Sequence, residues 1–171
     1  MPTQSHSYAR HHRSEVDVHA EAQVLFAHLD DHRRLAGHME KPSLMMAGAT
    51  MHVETDTLKG RAVGSVIRIT GSVLGVKLAV DEVVTERVSP LRKTWETRGE
   101  PRLLVIGAYR MGFTIGVQGD RSRLVVFIDY RLPPCGVSHV LALVFGGTYA
   151  AWCTRRMAHD AVAAFVSPAI S

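Results

Sequence analysis

Residues Glu15 to Asp31 place the strongest single constraint on the fold of this chain. An alternating strand ending near His19 passes almost directly into a short amphipathic helix, which Asp30 and Asp31 stop. His32 to Met39 then predicts a second short helix. Nearly all of the remainder reads as strands, and the chain closes with one long helix. A curved sheet wrapped around a terminal helix encloses a cavity. The order of elements therefore predicts binding of something apolar, and says less about what that is or whether chemistry follows.

The strand phases can be followed residue by residue. From Tyr8 to His19, Ser14, Val16 and Val18 alternate against Arg13, Glu15, Asp17 and His19, the period-two pattern of a half-buried strand. Ala22, Leu25, Phe26 and Leu29 share one helical face, and Pro42 closes the segment after Met39. Leu44 to Asp56 alternates again, and Gly60 to Gly64 is turn material. A strand from Ser65 leads through a Leu74-Gly75 turn to a strand over Lys77 to Glu86. Ser89-Pro90 breaks the run, Arg92 to Arg98 carries Trp95, and Gly99-Glu100-Pro101 reads as a turn. Leu103 to Val117 and Arg123 to Leu132 complete six consecutive strands with short connections, an antiparallel meander.

Pro133-Pro134 ends the last strand, and Ser138 predicts the N-cap of a helix running to about Phe165. One face of it, Val140, Val144, Gly147, Ala151, Thr154, Ala158, Val162 and Phe165, is apolar and small in the middle, which allows close approach to a sheet or leaves volume beneath the helix. Gly146-Gly147 within a helix costs about 1 kcal/mol per Gly relative to Ala, so tight packing or a bend must compensate. The other face carries Phe145, Tyr149 and Trp152 with Arg156, His159 and Asp160, as a pocket edge, a dimer contact or ordinary surface.

With 171 residues, one domain over residues 8–166 is expected, with a frayed segment 1–7 and a tail 167–171. The most apolar run, Val140 to Phe145, ends at Gly146-Gly147, so no membrane-spanning segment is expected. The N-terminus lacks the apolar stretch of a secretory signal, and a cytoplasmic location follows. The net charge of +4 comes from 20 Lys and Arg against 16 Asp and Glu. These are scattered rather than striped and carry no interleaved aromatics, so no nucleic-acid partner is expected. Cys135 and Cys153 have no metal-type spacing, and Cys153 reads as a buried structural thiol.

Few constellations carry chemistry. His28 and His32 stand one helical turn apart with His38 nearby, but no Glu completes a hydrolase motif and Asp30-Asp31 interrupts the helix. Solvated histidines are the simpler reading, and neither a metal nor a cofactor is expected. His11 and His12 alternate across a strand and face opposite sides. Glu82 falls in phase with Leu78, Val80 and Val84. If that phase faces inward, it places a carboxyl among apolar side chains, a setting suited to general acid or base work; a bulge would turn it outward. Tyr109 and Tyr130 are the polar handles of the apolar phases. Asp129 and Arg131 belong to the opposite, outer phase. No Ser or Cys nucleophile arrangement and no phosphate-cradling Gly loop is present.

The order strand, two short helices, six-stranded meander and long C-terminal helix resembles the helix-grip fold of the START and Bet v 1-like (SRPBCC) superfamily, closest to its polyketide cyclase/dehydrase and lipid-transport branch. The resemblance spans about residues 8–166. It rests on Val16 to Ala20 with Val24 to Asp31, on Gly64 to Arg68, on Asp81 to Pro90 leading to Trp95, and on Asp129 to Pro133. His38-Met39 stands where an aromatic residue is usual. The resemblance implies an α+β fold whose cavity lies between sheet and C-terminal helix, lined by Met51, Trp95, Tyr109, Met111, Phe113, Ile128 and Tyr130 from the sheet and by Val144, Ala151 and Thr154 from the helix. It implies a small hydrophobic, lipid-like or polyketide-like ligand. Three roles stay open: a binding or carrier protein; an aromatase/cyclase or dehydrase with Glu82, Tyr109 or Tyr130 moving a proton; and a non-catalytic homodimeric interaction module.

Overall fold

Alternation of apolar and polar side chains builds a seven-stranded antiparallel sheet, seen in a computed structural model that describes residues 8–31, 50–73 and 75–166. In chain order the described elements are β1 (Arg10–Val18), α1 (Ala22–Leu29), β2 (Thr50–Thr55), β3 (Val66–Val73), β4 (Val76–Val88), β5 (Arg92–Arg102), β6 (Tyr109–Gln118), β7 (Arg121–Tyr130) and α2 (Gly136–Ala164). The strand order is β1-β7-β6-β5-β4-β3-β2, so β2 to β7 form the expected meander and β1 closes on β7. The second short helix predicted over His32 to Met39, with His32 and His38, lies outside the described residues.

One face of the sheet is largely apolar. Ile67 and Ile69 of β3, Val80 and Val84 of β4, Trp95 of β5, Phe113 and Ile115 of β6 and Leu124, Val126 and Ile128 of β7 form one buried cluster with α1 and α2. Phe26 of α1 packs edge-on against Phe113, ring centroids 5.7 Å apart. The outer face carries paired charges, with Arg68 on Asp81, Arg110 on Asp129 and Arg131 on Glu100. Asp129 and Arg131 are thus outer residues, as their phase predicts.

Four local expectations are corrected. Gly99-Glu100-Pro101 is not a turn but lies inside β5, where Gly99 takes φ +73° and the pairing skips from Asp81↔Arg98 to Ala79↔Arg102. The extra residues are absorbed as a bulge, which left-handed glycine permits. β6 starts at Tyr109 rather than Leu103, because Leu103 to Ala108 leaves the ladder and its main chain instead bonds beyond β7. Gly107 N donates to Arg131 O (2.8 Å) and Arg131 N to Ala108 O (3.0 Å). β7 accordingly ends at Tyr130, before Leu132. The long helix begins at Gly136, with Cys135 rather than Ser138 as its N-cap.

Which face of α2 meets the sheet, open in the sequence, is decided by the fold. The buried residues are Ala142, Gly146, Ala150, Cys153, Thr154, Met157, Ala158 and Ala161; Val140 and Val144 are exposed. The cause is close approach. A Cβ on Gly146 would stand 2.8 Å from the Val105 carbonyl oxygen and 3.7 Å from the Tyr130 ring. The small row Ala142, Gly146, Ala150 seats there, and the valines turn outward. Length and composition alone would let α2 cross a bilayer, where the run of Val140 to Phe145 had predicted no such segment.

Candidate functional site

Residue parity places Glu82 on the inner face. It pairs across β4–β5 with Thr97, and its neighbours two residues away, Val80 and Val84, are core. Glu82 is only 2% exposed, so its carboxyl sits among apolar groups and requires a donor. Tyr109 of β6 supplies one: its hydroxyl donates to Glu82 Oε1 in a short hydrogen bond. The reach works because β5 between them narrows to Thr97, whose Oγ1 accepts from Tyr109 N at 3.3 Å.

Above this pair lie two residues of α2. Tyr149 and Cys153, one turn apart, are hydrogen-bonded to each other, and the Glu82 charge acts on Tyr149. Burial is the main reason that the Tyr109 hydroxyl is held far above its ordinary pKa, with the Glu82 carboxylate adding to it. Burial likewise keeps Tyr149 neutral, and pushes the Cys153 thiol to about 12 against the weaker effect of its bond to Tyr149. Cys153 is therefore an inert structural thiol at neutral pH. The result is one ionisable carboxyl ringed by three groups that stay protonated, inside an apolar wall.

The sheet residues expected to line the cavity, Met51, Trp95, Tyr109, Met111, Phe113, Ile128 and Tyr130, all belong to the one buried cluster. Met51 also borders a cleft of about 610 Å³ at the β3–β4 end of the sheet, with Gly71, Leu78, Lys77 and Arg102. The helix residues divide. Val144 is 63% exposed and does not face the sheet, a consequence of the rotation described above, and Ala151 is half-buried. Thr154 is buried but engaged with β1: Ser14 Oγ donates to its Oγ1 at 2.9 Å and His12 Nδ1 lies 2.9 Å from the same atom. Tyr130 packs beneath Gly146 and Gly147 and is not joined to the Glu82 pair by any described contact.

Sequence reading missed a second buried polar group. Lys93 is fully buried, and its Nζ lies 2.9 Å from Asp30 O and 3.1 Å from Asp30 Oδ1. Arg87 bonds the same carboxylate at 2.8 Å and stacks over the Phe26 ring. Burial opposes ionisation of Asp30, yet the two cations outweigh it and hold the carboxyl below its ordinary range. Desolvation lowers the pKa of Lys93 despite Asp30. Asp30 is the C-cap of α1, so both cations also face the negative end of the helix dipole. The signal was present: Lys93 shares the phase of Trp95 and Thr97. Among the described residues no group of three His, Cys, Asp or Glu is arranged to hold a metal.

An antiparallel sheet gripping a long C-terminal helix, with a largely apolar inner face and a buried acid, Glu82, at its centre, defines the helix-grip fold. No family model and no curated protein matches the chain by sequence; solved structures do match it by shape. A truncated norcoclaurine synthase from Thalictrum flavum aligns at TM-score 0.66 and 15% identity, over 97% of this chain and 99% of that one. The Zhui aromatase/cyclase from Streptomyces sp. R1128 aligns at 0.59 and 16%, over 91% and 90%. Ara h 8.0201 aligns at 0.52 and 9%, over 88% and 97%. The chain shares their fold.

Proposed function

We propose that this protein binds a small, largely apolar molecule, lipid-like or polyketide-like, between the concave sheet face and α2, with Glu82 and Tyr109 as the polar handle. The observation carrying this reading is the carboxyl–phenol hydrogen bond placed deep in an apolar wall. A stable core gains little from such a pair, since burying an acid costs more than an apolar residue of equal volume. A ligand with one hydroxyl or carbonyl turns that cost into selectivity. Trp95, Met111 and Phe113 supply the apolar contact, at about 25 cal/mol per Å² buried before association costs. Norcoclaurine synthase, similar in fold, has been seen in complex with dopamine and hydroxybenzaldehyde, which supports a site suited to small aromatic molecules. Two free cysteines are in keeping with a reducing, cytoplasmic setting.

A second reading, a cyclase or dehydrase, is favoured by the same pair. Glu82 is the one carboxyl of this buried group, and a tyrosine held neutral is a donor to a developing oxyanion. The aromatase/cyclase of the same fold supports it.

The test is native mass spectrometry of the purified protein with denaturing extraction of anything bound. A discrete adduct of a few hundred daltons, lost in Trp95→Ala, supports binding; an unliganded mass that no apolar extract shifts counts against it. Glu82→Gln then separates the readings, because a carrier keeps its ligand without turnover while an enzyme keeps binding and loses rate.

A further inference from the structure

β1 is the terminal strand of the sheet. One side of it is bonded to β7, and among the described residues no strand lies along the other. Beside that free edge runs a groove of about 700 Å³, bounded by residues 12–17 of β1 and by Arg155, His159 and Val162 of α2. An open edge offers a row of unpaired backbone groups to any extended chain, and proteins ordinarily block it with charge.

Here the charges are ordered rather than merely present. The outer residues of β1 read His11, Arg13, Glu15 and Asp17, two basic and then two acidic, all exposed. On the β7 side, His11 and Asp17 face Asp129 and Arg123, whereas Arg13 and Glu15 face Phe127 and Val125. Glu15 reaches Arg123 only diagonally, at 3.3 Å. The two central charges thus lack a directly facing complement within the sheet.

We propose that two copies of this chain pair antiparallel through β1, with Ser14 on the two-fold axis. In that register Arg13 stands opposite the partner's Glu15 and His11 opposite the partner's Asp17, and symmetry repeats both pairs. Shifting by two residues in either direction sets Arg13 against itself or Glu15 against itself. An odd shift turns the polar face of one strand toward the apolar face of the other. The charge order therefore selects one register as well as permitting pairing, and joins two sheets into one.

Sedimentation equilibrium of the full chain over a concentration series at low salt tests this. The expected result is a monomer–dimer equilibrium in which Arg13→Glu and Glu15→Arg each raise the dissociation constant at least about fivefold. The double variant, with both charges reversed, should return it to within about twofold of the wild type. Circular dichroism unchanged in all three excludes misfolding as the cause, both side chains being exposed. A wild type that stays monomeric, a dimer indifferent to both reversals, or a dimer lost on Phe145→Asp, which would place the contact on α2, each overturns the proposal.

Discussion

Tyr109 and Glu82 lie on strands that are not neighbours, and the tyrosine hydroxyl crosses the full width of β5 to reach the carboxylate. The contact forms because Thr97, between them, is short and bonds Tyr109 through its own hydroxyl. It is a tertiary contact in the strict sense: no segment of the chain shorter than three strands contains it.

Removing the phenol leaves the acid buried without this donor. Tyr109→Phe is expected to lower stability by about 1–3 kcal/mol, the cost of a buried polar group losing a hydrogen bond. Tyr109→Phe combined with Glu82→Gln should cost less than the two changes summed, since the partners share one interaction. Urea denaturation of the two single variants and the double measures this; strictly additive losses would rule out coupling.

Cys153 provides a pH signature. Its pKa of about 12 in the fold lies above the ordinary 9.0, so the folded chain retains a proton that the unfolded chain releases. Stability is therefore unaffected below about pH 9 and falls between about 9 and 12, by up to about 1.4 kcal/mol per pH unit. Denaturation midpoints measured from pH 8 to 11 should fall less steeply in Cys153→Ala. At pH 8, iodoacetamide should add one label to the native protein, at exposed Cys135, and two after unfolding.

The Asp30 cluster governs the acid side. Because its folded pKa is depressed, Asp30 contributes stability that is present above its unfolded value and lost as pH falls through the folded one. Lys93→Met removes a buried cation from the pair and should cost roughly 3 kcal/mol at neutral pH. Asp30→Asn should flatten the melting temperature against pH below about 4. An unchanged acid limb in that variant would assign acid unfolding to other carboxylates.

The two adjacent glycines of α2 should behave oppositely. A Cβ at Gly146 meets the Val105 carbonyl, so Gly146→Ala is expected to destabilise by roughly 1–3 kcal/mol. At Gly147 the one atom within reach is the Tyr130 hydroxyl, at 3.9 Å, and Gly147→Ala should stabilise by up to about 1 kcal/mol through helix propensity. Thermal melts of the two variants decide it, and equal effects would contradict the packing described.

The amino-acid sequence by itself determined the strand phases, the meander, the terminal helix and the inward parity of Glu82, because alternation and helical spacing are local properties written every two or four residues. It also marked Tyr109 as a polar handle. Tertiary structure decided the rest. α2 is apolar on most of its surface in its first half, so its sequence did not choose a face; the fit of Gly146 against Val105 did, and Val144 went outward. Gly99-Glu100-Pro101 carries the chemistry of a turn, yet the ladder on either side absorbed it as a bulge. Tyr109 meets Glu82, and Lys93 meets Asp30, only once strand register and the docking of α1 are set. Such contacts depend on how far apart two segments come to rest, a quantity that no periodicity along one of them contains.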